Sequence, residues 1–382
     1  MKVLALGDSH FFEAGSRFEE CVRVHDWIAD LVHERKPDLV CHTGDIYERA
    51  STPRERLAVS AFFRRVAEVC PVLIVRGNHD ALHDVELLGR IEAEHNIRVV
   101  ETAEVIPPWE FEPFDSDLWI GCVAWPSNAS ALDENSAREH LASVLRGQGE
   151  QMRGAKKRLL IGHFMVDGCV TSLGQPMIGG ALNVPLSDFS LAGAQAVVCG
   201  HIHKPQDWVH DGVPILYTGS PYRTAFGETE EKSVVLLEWD AENRVTWERI
   251  ATPARAMHLA TARYEDTVLG HVFRMEGTWP VSPDIAGADI RLRYECTAER
   301  KDEARKEANA IRDIWLAGGA HSVKIEAVVT TTVRARAPEV AQAKSLPDKL
   351  DAMWESTGEI PSTERRGRLL GKLSQLESEA SA

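Results

Sequence analysis

The sequence lacks features that would place it among membrane or secreted proteins. It has no run of about 18 apolar residues, so no membrane-spanning helix is expected. Its first residues, MKVLALGDSH, hold one lysine and a short apolar run, which indicates a first strand rather than a secretory signal. The seven cysteines are scattered without a CxxC pair. This cysteine usage indicates reduced thiols in a cytoplasmic compartment.

The chain also lacks an excess of basic residues. Its 43 Lys and Arg face 58 Asp and Glu, for a formal net charge of −15. This balance argues against a protein that coats nucleic acid, because phosphate contacts need Lys and Arg. It does not exclude an enzyme that meets DNA at one site, since bound metal ions can make a cleft positive on an acidic protein.

Apolar runs alternate with helical periodicity over the first 80 residues. KVLALGD, DLVCHTGD and PVLIVRGNHD are typical of buried strands, and residues 17–35 and 53–70 have helical patterns between them. This order predicts an α/β fold with parallel strands joined by helical crossovers. Further strands up to residue 240 follow with less helix between them, so we expect more antiparallel sheet there.

The length of 382 residues suits one large domain and a smaller one. After about residue 250 the pattern changes to a strand, ADIRLRYEC, a helix ended by Gly318 and Gly319, and a second strand, HSVKIEAVVTTTV. Two short helical stretches follow Pro338. We predict a first domain at 1–250, a small α+β domain at 251–337 and a helical tail at 338–382.

Polar side chains collect where the strands of the first domain end. Each motif begins with glycine, which lets the backbone approach a ligand closely. One Gly-Asp or His-x-His is usually a turn or a surface loop, but five such strand ends in chain order predict a shared metal site. The motifs are GDSH (Asp8, His10), GD (Asp45), GNHD (Asn78, His79), GH (His163) and GHIH (His201, His203).

Seven of these side chains are candidate metal ligands, which is too many for one zinc ion with an open position. The set suits two metals that share a carboxylate and activate a hydroxide between them. Two divalent ions outweigh the two anionic ligands, Asp8 and Asp45, so the site favours an anionic phosphate ester. Mixed nitrogen and oxygen donors favour Mn²⁺, Fe²⁺ or Zn²⁺ over Mg²⁺ or Ca²⁺.

The pattern D-x-H, GD, GNHD, GH, GHxH resembles the calcineurin-like metallophosphoesterase superfamily. The resemblance implies a four-layer α/β/β/α sandwich of two mixed sheets, followed by a small α+β cap domain and a helical C-terminal tail. It also implies that His79 stabilises transition-state charge or protonates the leaving oxygen, while Asp80 orients it. The implied ligands are Asp8, His10 and His203 for the first metal, Asn78, His163 and His201 for the second, and Asp45 as the bridge.

Within that superfamily, GDSHFF and GDIYERASTP lack the forms typical of protein phosphatases. TGDIYERASTPRERL and YTGSPYRTAFGE are instead similar to the SbcD-type nucleases of double-strand-break repair. This similarity implies a 3′–5′ exonuclease and single-strand or hairpin endonuclease, with Mn²⁺ expected and Fe²⁺, Zn²⁺ or Mg²⁺ as alternatives. It further implies a homodimer in a bacterial or phage-infected cell, associated with the nucleoid, and an SbcC-like ABC ATPase whose coiled coil binds the tail.

The residues leave other functions open. A phosphomonoesterase or a cyclic nucleotide phosphodiesterase would use the same two-metal site, and a non-enzymatic scaffold for an ATPase would use only the fold. If DNA is the substrate, loops near the site should contact it through basic side chains. The candidates are Arg49, Arg54, Lys204, Arg223 and Arg255.

Overall fold

A computed structural model gives the structure of the protein. It describes residues 1–111, 117–126, 134–172, 175, 183–267, 270–277, 280, 285–330, 340, 343 and 345–380.

The first two helices begin within one residue of the expected positions, and the second ends at Ala67, three residues before the expected end. In α1 (Phe18–Arg35) the buried residues recur at helical spacing, and the helix stops at Lys36, which has a left-handed φ of 47°. In α2 (Pro53–Ala67) the Thr52 side chain accepts from the backbone of Glu55, and the Glu55 side chain accepts from the backbone of Thr52. This reciprocal pair satisfies two backbone N–H groups that the helix itself leaves free.

Consecutive strands with little helix between them make up most of the rest of the first 251 residues. The strands are β1 (Lys2–Leu6), β2 (Leu39–His42), β3 (Val72–Val75), β4 (Ile97–Val100), β5 (Ala103–Ile106), β6 (Leu118–Val123), β7 (Lys157–His163), β8 (Met165–Val166), β9 (Asn183–Val184), β10 (Ala196–Gly200), β11 (Gln206–His210), β12 (Val213–Tyr217), β13 (Ser233–Trp239) and β14 (Val245–Ala251). The third helix is α3 (Glu134–Gln151), and short 3-10 helices lie at Val85–Arg90, Pro108–Phe111 and Leu186–Ala192.

Most of these strands form two six-stranded sheets, in the orders β14-β13-β1-β2-β3-β4 and β11-β12-β10-β7-β6-β5. One apolar core lies between the sheets and includes Val3, Leu73, Ile161 and Val198. A second core packs α1 and α2 on the outer face of the first sheet, and a third packs α3 on the outer face of the second. The predicted four-layer sandwich of two mixed sheets is confirmed.

The expectation of more antiparallel sheet in the second half of the domain is confirmed, because β5, β11, β13 and β14 each pair antiparallel with a neighbour. The centre of the second sheet is nevertheless parallel, which the sequence did not predict. There β6, β7, β10 and β12 all run parallel to one another. Only the edge strands β5 and β11 are antiparallel to their neighbours. Strands buried on both faces are continuous apolar runs whatever their direction, so the sequence pattern did not distinguish the two arrangements.

The remaining elements follow residue 256. They are β15 (Met257–Thr267), β16 (Gly270–Glu276), β17 (Asp289–Thr297), a 3-10 helix at Ala298–Arg300, α4 (Lys301–Ala317), β18 (Ser322–Thr330), α5 (Leu346–Thr357) and α6 (Thr363–Ala380). The four strands form a sheet in the order β16-β15-β17-β18. The predicted strand, helix and strand after residue 285 are confirmed by β17, α4 and β18.

The chain divides into two compact units. The first comprises Met1–Thr261, Met275–Leu292 and Ala310–Glu326, and the second comprises Ala262–Arg274, Arg293–Asn309 and Ala327–Ala382. The expected domain limits at 250 and 337 stay predictions, and the second of them falls outside the described residues. None of the described helices is long and apolar enough to cross a membrane.

Candidate metal centre

The loops that carry the predicted ligands meet at the carboxyl ends of neighbouring strands. β1, β2 and β3 lie side by side and run parallel, and so do β7 and β10 in the other sheet. The first two loops are tied together, because the backbone N–H of Asp8 donates to Gly44 at 2.9 Å and that of His10 donates to Asp45 at 3.0 Å. These bonds fix the loop after β1 relative to the loop after β2.

Hydrogen bonds across the sandwich join the two sets of loops. The His163 ring donates through Nδ1 to the Thr43 carbonyl at 2.9 Å, and the backbone N–H of His201 donates to Asp8 Oδ1 at 2.8 Å. The seven candidate ligands consequently form one cluster. Between His201 and His203, the side chain of Ile202 turns into the core around α3.

One group of side chains consists of Asp8, His10 and His203, whose ligand atoms lie within 4.8 Å of one another. The Nε2 atoms of His10 and His203 are 2.9 Å apart. The buried Oδ2 of Asp8 has no hydrogen-bond partner among the described residues. A buried carboxylate oxygen and two imidazole nitrogens thus face a common point.

The other group consists of Asp45, His163 and His201, again within 4.8 Å. Asn78 lies against it, since Oδ1 of Asn78 accepts from Nε2 of His163 and from Nδ1 of His201, each at 2.8 Å. Asp45 Oδ2 is 3.3 Å from His163 Nε2 and 3.7 Å from His10 Nε2. Asp45 therefore lies between the two groups, as a bridging carboxylate would.

The arrangement fits two divalent ions. Buried polar atoms are normally hydrogen-bonded, so the partnerless oxygen of Asp8 facing two ring nitrogens is the feature that a cation would satisfy. Mixed oxygen and imidazole donors are those that Mn²⁺, Fe²⁺ or Zn²⁺ accept in proteins. The assignment of individual ligands to individual ions stays a prediction.

The backbone at the ligands is held in unusual conformations. Asp8, His10, Asp45 and His201 have φ values of 51°, 44°, 54° and 104°, a region that non-glycine residues rarely occupy. Such strain persists where the surrounding structure enforces it, and it clusters at functional sites. At Gly77 a Cβ would lie 2.1 Å from Asp45 Oδ1, which explains the glycine of that motif.

A chain of buried hydrogen bonds through Ser9 helps to hold these loops in place. Ser9 Oγ lies 2.8 Å from Nε2 of His25 and 2.8 Å from Nε2 of His42. Nδ1 of His25 faces the Cys21 carbonyl at 2.7 Å and must donate to it, so its Nε2 accepts from Ser9. Nδ1 of His42 accepts from a backbone N–H at 3.2 Å, so its Nε2 donates to Ser9. Two neutral histidines and one hydroxyl are thereby fully satisfied.

Burial keeps both histidines of this chain neutral. It lowers the pKa of His25 to about 4 and that of His42 well below its ordinary value. In the metal centre, burial would lower the pKa of His163, but Asp45 raises it to about 9. A metal that binds His163 below that pH must therefore displace a proton. Burial lowers the pKa of His201 to about 3. This ring is therefore neutral, and one of its nitrogens has a lone pair that a metal could bind.

His79 is the most open histidine of the cluster, with 38% of its side chain exposed. Its ring centroid lies 4.9 Å from that of His10. Its Nδ1 lies 2.9 Å from the Glu48 carbonyl and 3.7 Å from Glu48 Oε1. If Nδ1 donates to Glu48, Nε2 is free to accept or deliver a proton at the edge of the centre.

Asp80 does not hold the His79 ring in the way that was expected. Its two carboxylate oxygens accept from the backbone N–H groups of Asp45, Tyr47 and Gly77 at 2.9, 3.0 and 2.9 Å. Asp80 thus fixes the loop of the bridging carboxylate, and Glu48 takes the position beside the His79 ring. Burial, followed by the charge of Asp45, raises the pKa of Asp80 to about 6.

The five candidate DNA contacts have different surroundings. Arg49 is exposed, with its guanidinium 4.8 Å from the Phe12 ring centroid, and Lys204 is half-buried. Arg54 pairs with Glu19 at 2.5 Å and Arg255 with Glu20 at 3.2 Å. Arg223 donates to the backbone carbonyls of residues 228, 230, 254 and 255, so its charge is used inside the protein. Contact with DNA stays a prediction for all five.

Sequence reasoning missed two carboxylates beside the ligand histidines. Glu48 Oε2 lies 2.7 Å from His10 Nδ1, and Glu228 Oε1 lies 3.6 Å from His203 Nδ1. Both residues lie in stretches that resemble SbcD-type sequences, GDIYERASTP and YTGSPYRTAFGE. No spacing pattern in the sequence indicates these two contacts. Each glutamate meets its histidine only because the fold brings distant parts of the chain together.

The known proteins with similar sequences include the D subunits of two SbcCD nucleases. The chain is 25% identical over 273 residues to the D subunit of the SbcCD nuclease of Bacillus subtilis, and the match covers 65% of this chain and 69% of that protein. It is 22% identical over 255 residues to the corresponding D subunit of Staphylococcus epidermidis, and this match covers 62% of this chain and 65% of that protein.

Solved structures with a similar fold include TT1561 of Thermus thermophilus, at 14% identity and a TM-score of 0.42, over 65% of this chain and 98% of that one. A dimetal phosphatase from Danio rerio is similar at 11% identity and a TM-score of 0.42, over 66% of this chain and 96% of that one.

Residues 1–205 match the family described as calcineurin-like phosphoesterase. This match spans more than half of the chain, and it contains every residue of the two groups described above. The chain belongs to the calcineurin-like phosphoesterase family and is a metal-dependent phosphoesterase.

Proposed function

We propose that this phosphoesterase is a DNA nuclease that uses Mn²⁺, a 3′–5′ exonuclease and a single-strand or hairpin endonuclease. The observation that carries the proposal is the cluster of seven oxygen and imidazole donors that includes Asp45, in a chain similar to the D subunits of two SbcCD nucleases. Such a positively charged centre favours an anionic phosphate ester, and the similarity to the SbcCD D subunits supports a DNA phosphodiester as that ester.

Each residue of the cluster has a proposed part. Asp8, His10 and His203 would hold one ion, Asn78, His163 and His201 would hold the other, and Asp45 would be shared by both. When bound, two divalent ions supply a nucleophile from water and stabilise the charge that develops on the phosphate. The strained loops and the Ser9 chain would hold the backbone of these donors in place.

His79 acts on the substrate rather than on the ions. Its position beside His10 and its exposed side chain let its ring reach a phosphate oxygen or the leaving oxygen of a bound strand. The contact with Glu48 favours the tautomer whose Nε2 faces outward. A protonated ring would stabilise transition-state charge, and it would then protonate the leaving 3′ or 5′ oxygen.

We further propose that the chain works in an SbcCD-like complex. The tail helices α5 and α6 expose apolar side chains, which include Met353, Leu369 and Leu376. They are proposed to bind the coiled coil of an SbcC-like ATPase, and the nuclease domain is proposed to form a homodimer. The seven cysteines, all within the described residues, are buried and unpaired, which supports a reducing compartment such as the cytoplasm.

The test is the release of nucleotides from linear duplex DNA in the presence of Mn²⁺. We expect the wild type to release nucleotides, His79→Ala to be slower by about 10²–10⁴-fold and Asp45→Ala to be inactive. An Arg65→Ala variant, which removes ion pairs with Asp26 and Asp30 on the outer face of α1 and α2, serves as a control and should match the wild type. Equal activity in all variants would overturn the mechanism.

The same preparations should be offered cyclic nucleotides and a phosphomonoester. A DNA nuclease should release far more product from DNA than from either small ester. Turnover of the small esters without turnover of DNA would instead assign the same centre to a small-molecule phosphatase or phosphodiesterase.

A further inference from the structure

The loop after β12 contains a buried lysine between two carboxylates. Lys232 has a side chain with 0% exposure, and its Nζ lies 2.7 Å from Glu228 Oε2 and 2.7 Å from Glu230 Oε1. It also donates to Ser220 Oγ at 3.0 Å. A buried ion pair is weak evidence for stability, because the cost of desolvation offsets much of the attraction. Stability alone therefore does not explain why a buried lysine lies next to His203, a proposed metal ligand.

Lys232 and the residues around it contact both the main chain and the side chain of His203. Lys232 Nζ donates to the His203 carbonyl at 3.1 Å, and the backbone N–H of Ser220 donates to the same carbonyl at 3.1 Å. On the ring, Nδ1 of His203 lies 3.2 Å from Thr224 Oγ1. Main chain and side chain of this histidine are thus fixed by one loop.

The direction of the hydrogen bonds determines the tautomer of His203. Thr224 Oγ1 donates to Glu228 Oε1 at 2.7 Å, since a carboxylate can only accept. The hydroxyl oxygen is then left to accept from Nδ1–H of His203. The proton is on Nδ1, and the lone pair of Nε2 faces Asp8 and His10, where the first ion is proposed to bind.

We infer that Thr224, Glu228 and Lys232 form a positioning clamp that fixes the orientation, tautomer and donor strength of His203 for a divalent ion. Ligand histidines commonly donate their other N–H to a carboxylate or carbonyl, which increases their strength as donors. The inference rests on the proposed metal role of His203. In the other group, Nδ1 of His163 donates only to the Thr43 carbonyl among the residues that the structure describes. The clamp therefore acts on one of the two ion positions.

The chain offers a matched control beside the clamp. Glu230 pairs with the same lysine at the same 2.7 Å distance as Glu228, but its side chain also accepts from Ser172 and does not take part in the Thr224 chain. Glu228→Gln and Glu230→Gln each remove one negative charge from Lys232. A role limited to stabilising the buried lysine would make the two variants equivalent.

The experiment measures Mn²⁺ binding to the full chain by the electron paramagnetic resonance signal of the free ion, without any DNA. We expect Glu228→Gln to weaken one of two binding events by about 10–100-fold, while Glu230→Gln binds like the wild type. Thr224→Val, which lacks the hydroxyl, should weaken the same event, and Thr224→Ser should restore it. Equal Mn²⁺ affinities for the two glutamine variants, or for Val and Ser at position 224, would overturn the clamp.

A His203→Ala variant separates this inference from the proposed function. If His203→Ala weakens one binding event while Glu228→Gln does not, the histidine is a ligand and the clamp is wrong. If His203→Ala leaves both events unchanged, the proposed ligand assignment fails and the clamp fails with it. Far-ultraviolet circular dichroism and thermal unfolding of each variant, recorded without metal, identify any loss of folding.

Discussion

At the scale of the residue, the centre depends on side chains that sequence motifs identify and on others that they do not. The ligands follow strand ends in recognisable motifs, and four of them have positive φ values. Some residues that hold the ligands lie inside those motifs, as Ser9 and Asp80 do, but the groups that Ser9 contacts do not. Ser9, His25 and His42 become neighbours only because α1 packs on the first sheet, and Glu48 and Glu228 meet their histidines through loops from different parts of the chain.

Ser9→Ala should destabilise the protein by roughly 1–3 kcal/mol, because it leaves the N–H of His42 and the acceptor nitrogen of His25 buried without a partner. The measurement is urea unfolding without metal. Ser233→Ala is a suitable control, since the buried Ser233 hydroxyl finds no partner within the described part of the chain. Its unfolding midpoint should stay close to that of the wild type. A similar small effect at both positions would show that the Ser9 chain contributes no more than an ordinary buried hydroxyl.

At the scale of the element, the sequence predicted the features that depend on residues close together in the chain, such as the order of strands and helices and the position where a helix starts. The β1-α1-β2-α2-β3 alternation, the start of α2 at Pro53 and the glycines after α4 are all visible in the sequence. The parallel centre of the second sheet was not, because β6, β7, β10 and β12 are short apolar runs whose direction depends on connections across the fold. Strand direction is a tertiary property, whereas the start of a helix is a local one.

Thr52→Ala should lower the free energy of unfolding by about 1 kcal/mol, since it removes the N-cap hydrogen bond to Glu55. It also removes a bond from the Thr52 hydroxyl to Glu13 Oε2 at 2.7 Å. Thr52→Ser keeps a hydroxyl and should retain most of the stability. Chemical unfolding of both variants checks this, and equal losses for Ala and Ser would exclude the cap as the source.

At the scale of the whole molecule, a metal centre would reconcile an acidic chain with a phosphate substrate. The net charge of −15 repels DNA in general, and three of the basic side chains named as DNA contacts pair with acidic or carbonyl groups of the protein. Two divalent ions beside Asp45 would concentrate positive charge at one place. Binding of the ions is therefore the step on which the proposed chemistry depends.

The most direct measurement is the number of Mn²⁺ ions that one chain binds, determined by calorimetric titration of the metal-free protein. We expect two ions for the wild type, and a loss of tight binding at both positions for Asp45→Ala, because that carboxylate lies between the two groups. A wild type that binds one ion or none would contradict a two-metal centre. So would an Asp45→Ala variant that still binds two ions as tightly as the wild type.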